Sequence, residues 1–252
     1  MSALRPTALK PFFDMKLAPH NALITGGSQG LGKVIAEHFL REGANVVLCA
    51  RSEADLAATQ VELAARFSAQ KVLARTCNVA SESQVNELVA YALRELGSLE
   101  SLVLNAGIYG PMGPTESVSL EEWRRALDIN LFGVLLPSRA VIPHFKQTGR
   151  GKIIVLSGGG ATNPLPNISA YAASKAAVVR LMETLAEELK AFHVDVNAIA
   201  PGALATRLVD EVLAAGPENV GAAFFEKNKH WKENGAVPLD LGASLAVYLA
   251  SA

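Results

Sequence analysis

The run Asn21-Ala-Leu-Ile-Thr25-Gly26-Gly-Ser-Gln-Gly30-Leu-Gly32, followed by Ile35, Phe39 and Leu40, decides the fold. Five largely apolar residues break into a glycine-rich turn. The turn opens into a segment whose apolar residues recur at helical spacing and which stops at Gly43. Strand, glycine turn and helix make a βα unit, and the N–H groups at the start of its helix form a positive end that suits a phosphate. Gly26, Gly30 and Gly32 clear Cβ atoms from that approach, in the spacing Gly-x-x-x-Gly-x-Gly. A glycine turn that merely connects strand to helix is the plainer alternative.

The pattern repeats along the chain. Asn45–Ala50 reads as a strand and Ser52–Phe67 as a helix with Leu56, Leu63 and Phe67 on one side. Lys71–Cys77 is a third strand, and the next helix starts at Ser81, where Gln84 completes a capping box, and stops at Gly97. Ser101–Asn105 is a fourth strand. A second capping box, Ser119 with Glu122, opens a long helix striped by Trp123, Leu127, Leu131, Leu135 and Ile142, which Pro137 and Pro143 should kink or split. Lys152–Ser157, a helix carrying Tyr171 and Lys175, and the strand Val194–Ile199 complete the alternation. Strands alternating with helices predict an α/β fold: a single Rossmann-like, doubly wound parallel sheet with helices on both faces and its ligand at the carboxyl ends of the strands. No repeat or linker divides residues 21–252, which read as one dinucleotide-binding and catalytic domain after a surface arm, 1–20.

Composition narrows the function. The 252 residues are 50% hydrophobic and 19% charged with a net charge of -1, which gives no electrostatic case for nucleic acid or an anionic membrane. A small molecule is the expected partner. No apolar stretch reaches the roughly 20 residues that span a bilayer, and residues 1–20 lack the apolar core of a secretory signal, so a soluble, cytoplasmic protein is expected. Cys49 and Cys77 lie near the ends of apolar runs and read as small buried hydrophobes. The histidines at 20, 38, 144, 193 and 230 form no ligand cluster, so no metal is indicated.

Two stretches carry chemistry. In Tyr171-Ala-Ala-Ser-Lys175 a phenol and an ammonium stand four residues apart on a helix, so both heads reach one small volume. The second strand ends in Ala50-Arg51, where many dinucleotide sites place an acidic residue on the adenosine ribose. Ala50 leaves room for a 2′-phosphate and Arg51 could pair with it, favouring NADP(H) over NAD(H). A solvated strand-end arginine is the plainer reading of the same residue.

Thr25-Gly-Gly-Ser-Gln-Gly-Leu-Gly32, Asn105-Ala-Gly107, Asn130, Tyr171-x-x-x-Lys175 and Pro201-Gly-Ala-Leu-Ala-Thr206 stand in order, and together they make the chain resemble the short-chain dehydrogenases/reductases (SDR) from about Asn21 onward. The resemblance implies an NAD(P)-dependent oxidoreductase that moves a hydride between the nicotinamide and a carbonyl/alcohol carbon, a 3-oxoacyl reductase or another ketone reductase or alcohol dehydrogenase. By the same resemblance Tyr171 exchanges a proton with the substrate oxygen, while Lys175 holds the nicotinamide ribose and lowers the tyrosine pKa. Asn130 supports a helix kink and binds a water that relays protons to Lys175. The cofactor is implied to meet Gly26, Ser28, Gln29, Gly30, Leu31 and Gly32 at its phosphates and Arg51 at its ribose. Asn78, Val79, Asn105, Ala106 and Gly107 flank its adenosine part, and Pro201, Gly202 and Thr206 border the nicotinamide. Residues 204–238 correspond to a mobile substrate lid, in which Phe224, Phe225 and Trp231 either line an apolar pocket or anchor the lid.

The chain departs from the pattern at several points. Thirteen residues before the tyrosine the family has a serine on the substrate oxygen, and here that position is Gly158. Ser157 is displaced by one residue, which in an extended strand turns a side chain to the other face, so Ser157, Thr162 or a main-chain N–H is the expected substitute. Asn78 stands where the family has an aspartate, and its carbonyl can still accept a hydrogen bond. A seventh strand is implied after Leu241–Ala250, where only two residues follow to Ala252, so a shortened chain or an open or otherwise filled sheet edge is expected. An open edge favours association. A homodimer or homotetramer through Ala176, Ala177, Val178 and Val179 on the catalytic helix fits the family habit. Gly158 also admits a non-catalytic alternative, a weak or inactive dinucleotide-binding sensor or assembly protein on the same fold.

Overall fold

The computed structural model describes residues 15–251, so residues 1–14 of the expected arm lie outside it. The sheet strands are β1 Asn21–Thr25, β2 Asn45–Ala50, β3 Val72–Thr76, β4 Ser101–Leu104, β5 Gly151–Leu156 and β6 Val194–Ile199. The helices are α1 Gly30–Arg41, α2 Glu53–Arg66, α3 Glu82–Leu96, α4 Leu120–Leu127, α5 Gly133–Thr148 and α6 Ser169–Leu189, then α7 Arg207–Ala215, α8 Pro217–Val220, α9 Ala222–Asn234 and α10 Leu239–Ser251.

All strand pairs are parallel, in the order β3-β2-β1-β4-β5-β6. The four inner strands, β2, β1, β4 and β5, are apolar on both sides, so each sheet face must be covered, and the crossover helices do this. On one face Leu23, Val47, Leu102 and Val155 pack against α3, α5 and α6 through Leu88, Phe145 and Met182. On the other, Ile24, Leu48, Val103 and Ile154 pack against α1, α2 and α10 through Phe39, Leu63 and Val247. The chain winds outward in both directions from β1 and β4, and the crevice between their carboxyl ends is the switch point where such sheets bind ligands.

Several local expectations are corrected. Gln84 does not close a box with Ser81: its Oε1 accepts the N–H of Asn78 at 2.8 Å, because the loop folds back so that Ser81 N–H donates to Asn78 O and leaves Asn78 nearer. The Ser119 hydroxyl does accept the Glu122 N–H. The long helix is interrupted at neither proline. Both sit inside α5, and the break is a π-turn, Asp128–Phe132, centred on Asn130, whose amide serves the backbone of Ile108 instead. Folding joins α4, the π-turn and α5 into one segment, Leu120–Thr148, that holds an 18-residue window of mean hydropathy 1.3. By length and composition alone that window could cross a membrane, and 44% of it is buried inside the protein. Its Val134, Val141 and Phe145 face the sheet core. On α6, Val178 is buried in the same core and only Ala176, Ala177 and Val179 reach the surface. In the arm, Leu17 is buried and its N–H donates to Glu42 O. Among the described residues the sheet ends at β6, paired only with β5.

Candidate active site

A cavity of about 760 Å³ opens at the carboxyl ends of β1, β4, β5 and β6. Its phosphate-sized end is the turn after β1. Gly26 adopts φ +65°, and a Cβ there would lie 2.9 Å from Asn105 Nδ2; at Gly32 a Cβ would lie 2.3 Å from the Gly26 carbonyl oxygen. Glycine is therefore required at both positions for the turn to pack on β4. Asn105 fastens that turn: its amide donates to the carbonyls of Thr25 at 3.2 Å and Gly26 at 3.0 Å, while Thr25 Oγ1 accepts the N–H groups of Asn105 and Ala106. Ser28, Gln29, Gly30 and Leu31 border the cavity, with Gly32 buried behind them. Gln29 caps α1 with extended backbone and no side-chain bond, so the first N–H groups of α1 lack a capping side chain.

Arg51 follows β2 at the rim of the same cavity, and among the described residues it makes no ion pair. Val79, Ala106 and Gly107 line it, as do Pro201, Gly202 and Thr206 on the far side. Asn78 is not brought in. It is exposed, and its Oδ1 accepts the N–H of Ala80. Thr162 is likewise exposed, its hydroxyl accepting from Asn163 Nδ2.

The reactive end is assembled by α6. Lys175 is 5% exposed, donates to the Leu156 carbonyl at the end of β5 at 2.7 Å, and sits 5.7 Å from the centre of the Tyr171 ring. Asn130, fully buried behind the wall, donates to Ile108 O at 2.8 Å and Ser174 Oγ at 3.0 Å and accepts the Ile108 N–H at 2.9 Å. A Cβ on Gly107 would lie 3.3 Å from Asn130 Oδ1 and 3.7 Å from Lys175 Nζ, so this loop covers both groups closely.

Burial sets the protonation. It lowers Lys175 to about 8 and pushes Tyr171 up to about 12. The rise at Tyr171 comes from burial of the phenol. The pair as it stands is a phenol beside an ammonium at neutral pH.

Position 158, not 157, faces the phenol. Gly158 is fully extended, and a Cβ there would lie 2.4 Å from the Tyr171 hydroxyl oxygen. Ser157 borders the cavity, its N–H donates to Ile199 O, and its buried hydroxyl has no partner among the described residues.

Sequence reasoning missed Tyr109, two residues past Asn105-Ala-Gly107. Its ring meets the Tyr171 ring edge-on at 4.8 Å between centroids, and Phe224 of α9 at 6.3 Å. An aromatic residue immediately after that turn was the available signal. Phe224 and Trp231 line the cavity and Phe225 does not. Asn228 of α9, also missed, is fully buried at the cavity wall, and its Oδ1 has no partner among the described residues.

Comparison with known proteins adds to this geometry. Residues 20–216 match the family described as short chain dehydrogenase. Glucose 1-dehydrogenase of Gluconobacter oxydans (strain 621H) is 38% identical over 197 residues, covering 78% of this chain and 73% of that protein. A 3-ketoacyl-(acyl-carrier-protein) reductase from Brucella melitensis complexed with NADH is 35% identical with a TM-score of 0.68, covering 72% of this chain and 74% of that one. A variant of actinorhodin polyketide ketoreductase with NADPH is 29% identical with a TM-score of 0.83, covering 92% and 90%.

Gly158→Ala tests the close approach of the phenol. The added Cβ must push the Tyr171 hydroxyl toward the water of the cavity, so its pKa should fall from about 12 toward the ordinary tyrosine value. Phenolate difference titration against Tyr171→Phe measures this; an unchanged titration contradicts the packing described.

Proposed function

The chain belongs to the short-chain dehydrogenase family and is an NAD(P)-dependent oxidoreductase of a carbonyl/alcohol pair, and on that premise we propose that Tyr171 is its proton donor and acceptor, supported by Lys175, Asn130 and Ser157, with NADP(H) preferred over NAD(H). The observation that carries this reading is a buried phenol and a buried ammonium at the reactive end of one cavity whose other end is an uncapped glycine turn.

The residues present fit a dinucleotide. The turn after β1, packed on β4 through glycines that admit no Cβ at 26 and 32, leads into the bare first turn of α1, which suits a pyrophosphate. Lys175 spends one donor on Leu156 O and among the described residues has no carboxylate partner, leaving N–H groups for ribose hydroxyls. When bound, the reduced nicotinamide supplies a hydride to the carbonyl carbon and is itself oxidised.

The chain handles the proton. At neutral pH Tyr171 is a phenol and donates to the substrate oxygen as negative charge develops there, so the reduction direction suits its protonation state. Lys175, charged below about 8, stabilises the phenolate that this leaves. Asn130 holds the Ile108 loop over Lys175, and the spare lone pair on its Oδ1 takes a water on the route that returns the proton. With no side chain at 158, Ser157, whose buried hydroxyl is unpartnered among the described residues, serves as the second donor for the substrate oxygen once it turns into the cavity that it borders. Arg51 at the rim pairs with a 2′-phosphate.

Residues 21–252 act as one unit, with 204–238 as the cover of the substrate end. A homodimer or homotetramer and a cytoplasmic setting complete the reading. The relatives described above are named as dehydrogenases and reductases, which lends the non-catalytic alternative no support.

Ketone reduction should keep a level kcat/KM below pH about 8 and decline above it, as Lys175 loses the charge that stabilises the phenolate. Tyr171→Phe should cut turnover by about 10²–10⁴-fold at every pH while still binding cofactor. Equal rates for wild type and variant, or a rate that climbs above pH 8, defeat the assignment. Arg51→Ala should weaken NADPH binding by about ten- to a hundredfold and NADH binding far less; equal changes for both remove the NADP preference.

A further inference from the structure

The substrate end of the cavity has a composition that the proton chemistry does not require. Tyr109 stands edge-on to Tyr171 at 4.8 Å, and on its other side meets Phe224 from α9 at 6.3 Å, 86° apart in plane. Any carbonyl whose oxygen meets the Tyr171 hydroxyl therefore presents one of its substituents to the Tyr109 ring. Leu165 from the loop after β5 adds an aliphatic wall.

After β5 two lining positions carry no side chain. The Tyr171 hydroxyl packs directly over Gly158, and beside it a Cβ on Gly159 would meet nothing within 4 Å, so the open space lies at Gly159. Both adopt φ values without left-handed character, so the backbone does not require glycine there. The space suits a bulky group on the carbonyl carbon rather than a compact methyl.

The charges on the cover are engaged. Arg207 Nε pairs with Glu211 at 3.1 Å, and Lys227 Nζ lies 5.1 Å from the centre of the Trp231 ring. Tyr109 itself is held as a neutral phenol, since burial and the neighbouring Tyr171 and Glu211 all raise its pKa. A carboxylate or phosphate on the part of the substrate that reaches the cover would meet cations, Arg207 and Lys227, that are already engaged, at a desolvation cost. A flat, uncharged ring fits instead, because aromatic faces and edges pack at the separations seen between Tyr109 and its neighbours.

We infer that the substrate of this site is a neutral ketone, or the matching alcohol, whose carbonyl carbon bears or belongs to a ring system, with Tyr109 and Phe224 as the residues that select the ring. The inference rests on the oxidoreductase reading above and names its substrate class. Tyr109 acts here through its ring, with its hydroxyl secondary.

The test uses the full chain with NADPH and three probes: 1-tetralone as the ring-bearing ketone, 2-octanone as a linear neutral ketone, and acetoacetate as a charged one. The expected order of kcat/KM is 1-tetralone first, by about tenfold or more over 2-octanone, with acetoacetate last. Tyr109→Ala and Phe224→Ala should each lower the ratio of 1-tetralone to 2-octanone by about tenfold, chiefly through KM for 1-tetralone, while Tyr109→Phe should keep the ratio close to wild type. Quenching of Trp231 fluorescence by 1-tetralone, read as the difference from Trp231→Phe, should report ring binding independently of turnover. Preference for 2-octanone or acetoacetate, or a ratio unmoved by both alanine variants, overturns the ring assignment and leaves the oxidoreductase reading standing. Quenching without turnover of any probe keeps the ring site and counts against Tyr171 chemistry on ketones; no quenching and no turnover overturns the inference.

Discussion

The ammonium of Lys175 is withdrawn from water at the floor of the cavity, and among the described residues its one hydrogen-bond acceptor is the carbonyl of Leu156 at 2.7 Å. A buried cation without a carboxylate is costly, and burial duly lowers its pKa to about 8. Because the bond ties the first turns of α6 to the last residue of β5, it fixes where Tyr171 stands relative to Gly158. The remaining parts of the reactive end follow from that placement. Ser174, one residue before Lys175, bonds to Asn130, and Asn130 grips both backbone groups of Ile108. Three segments far apart in sequence are thereby locked around one charge.

The other end of the cavity depends on close backbone approach rather than charge. Asn105 and Thr25 bind the turn after β1 to the end of β4, and the Gly26 and Gly32 positions admit no Cβ. Parallel pairing of β1 with β4 brings those two loops side by side, so the switch in winding direction creates the phosphate end directly. Fold and site are joined at this point: a sheet wound in only one direction from β1 would leave no crevice for the glycine turn to line.

Much of this was legible in the sequence. The inner strands are largely continuous apolar runs and the helices have apolar stripes, so element type and sheet class follow from local pattern. The site residues sit at strand ends and one helix, and Gly26, Tyr171, Lys175 and Pro201 converge as their spacing in a βα fold requires. What remained hidden depends on contacts between distant segments. Gln84 is drawn to Asn78 by a loop that folds back, and the break at Asn130 replaces the one expected at the prolines because Ile108 supplies partners from 22 residues away. Asn78 turns its carbonyl to Ala80, and Tyr109 acquires its position only when α9 folds over it. The burial that raises the Tyr171 pKa was hidden for the same reason, since it is a property of the assembled cavity.

On this reading the cavity brings a reduced nicotinamide and a carbonyl carbon together for direct hydride transfer, with the proton coming from Tyr171. Turnover of 1-tetralone with NADPH deuterated at the transferring position of nicotinamide C4, in ordinary water, followed by mass analysis of the alcohol, measures this directly. The account predicts one deuterium on the alcohol carbon and none lost to solvent. Alcohol that carries only solvent-derived hydrogen at that carbon would contradict it.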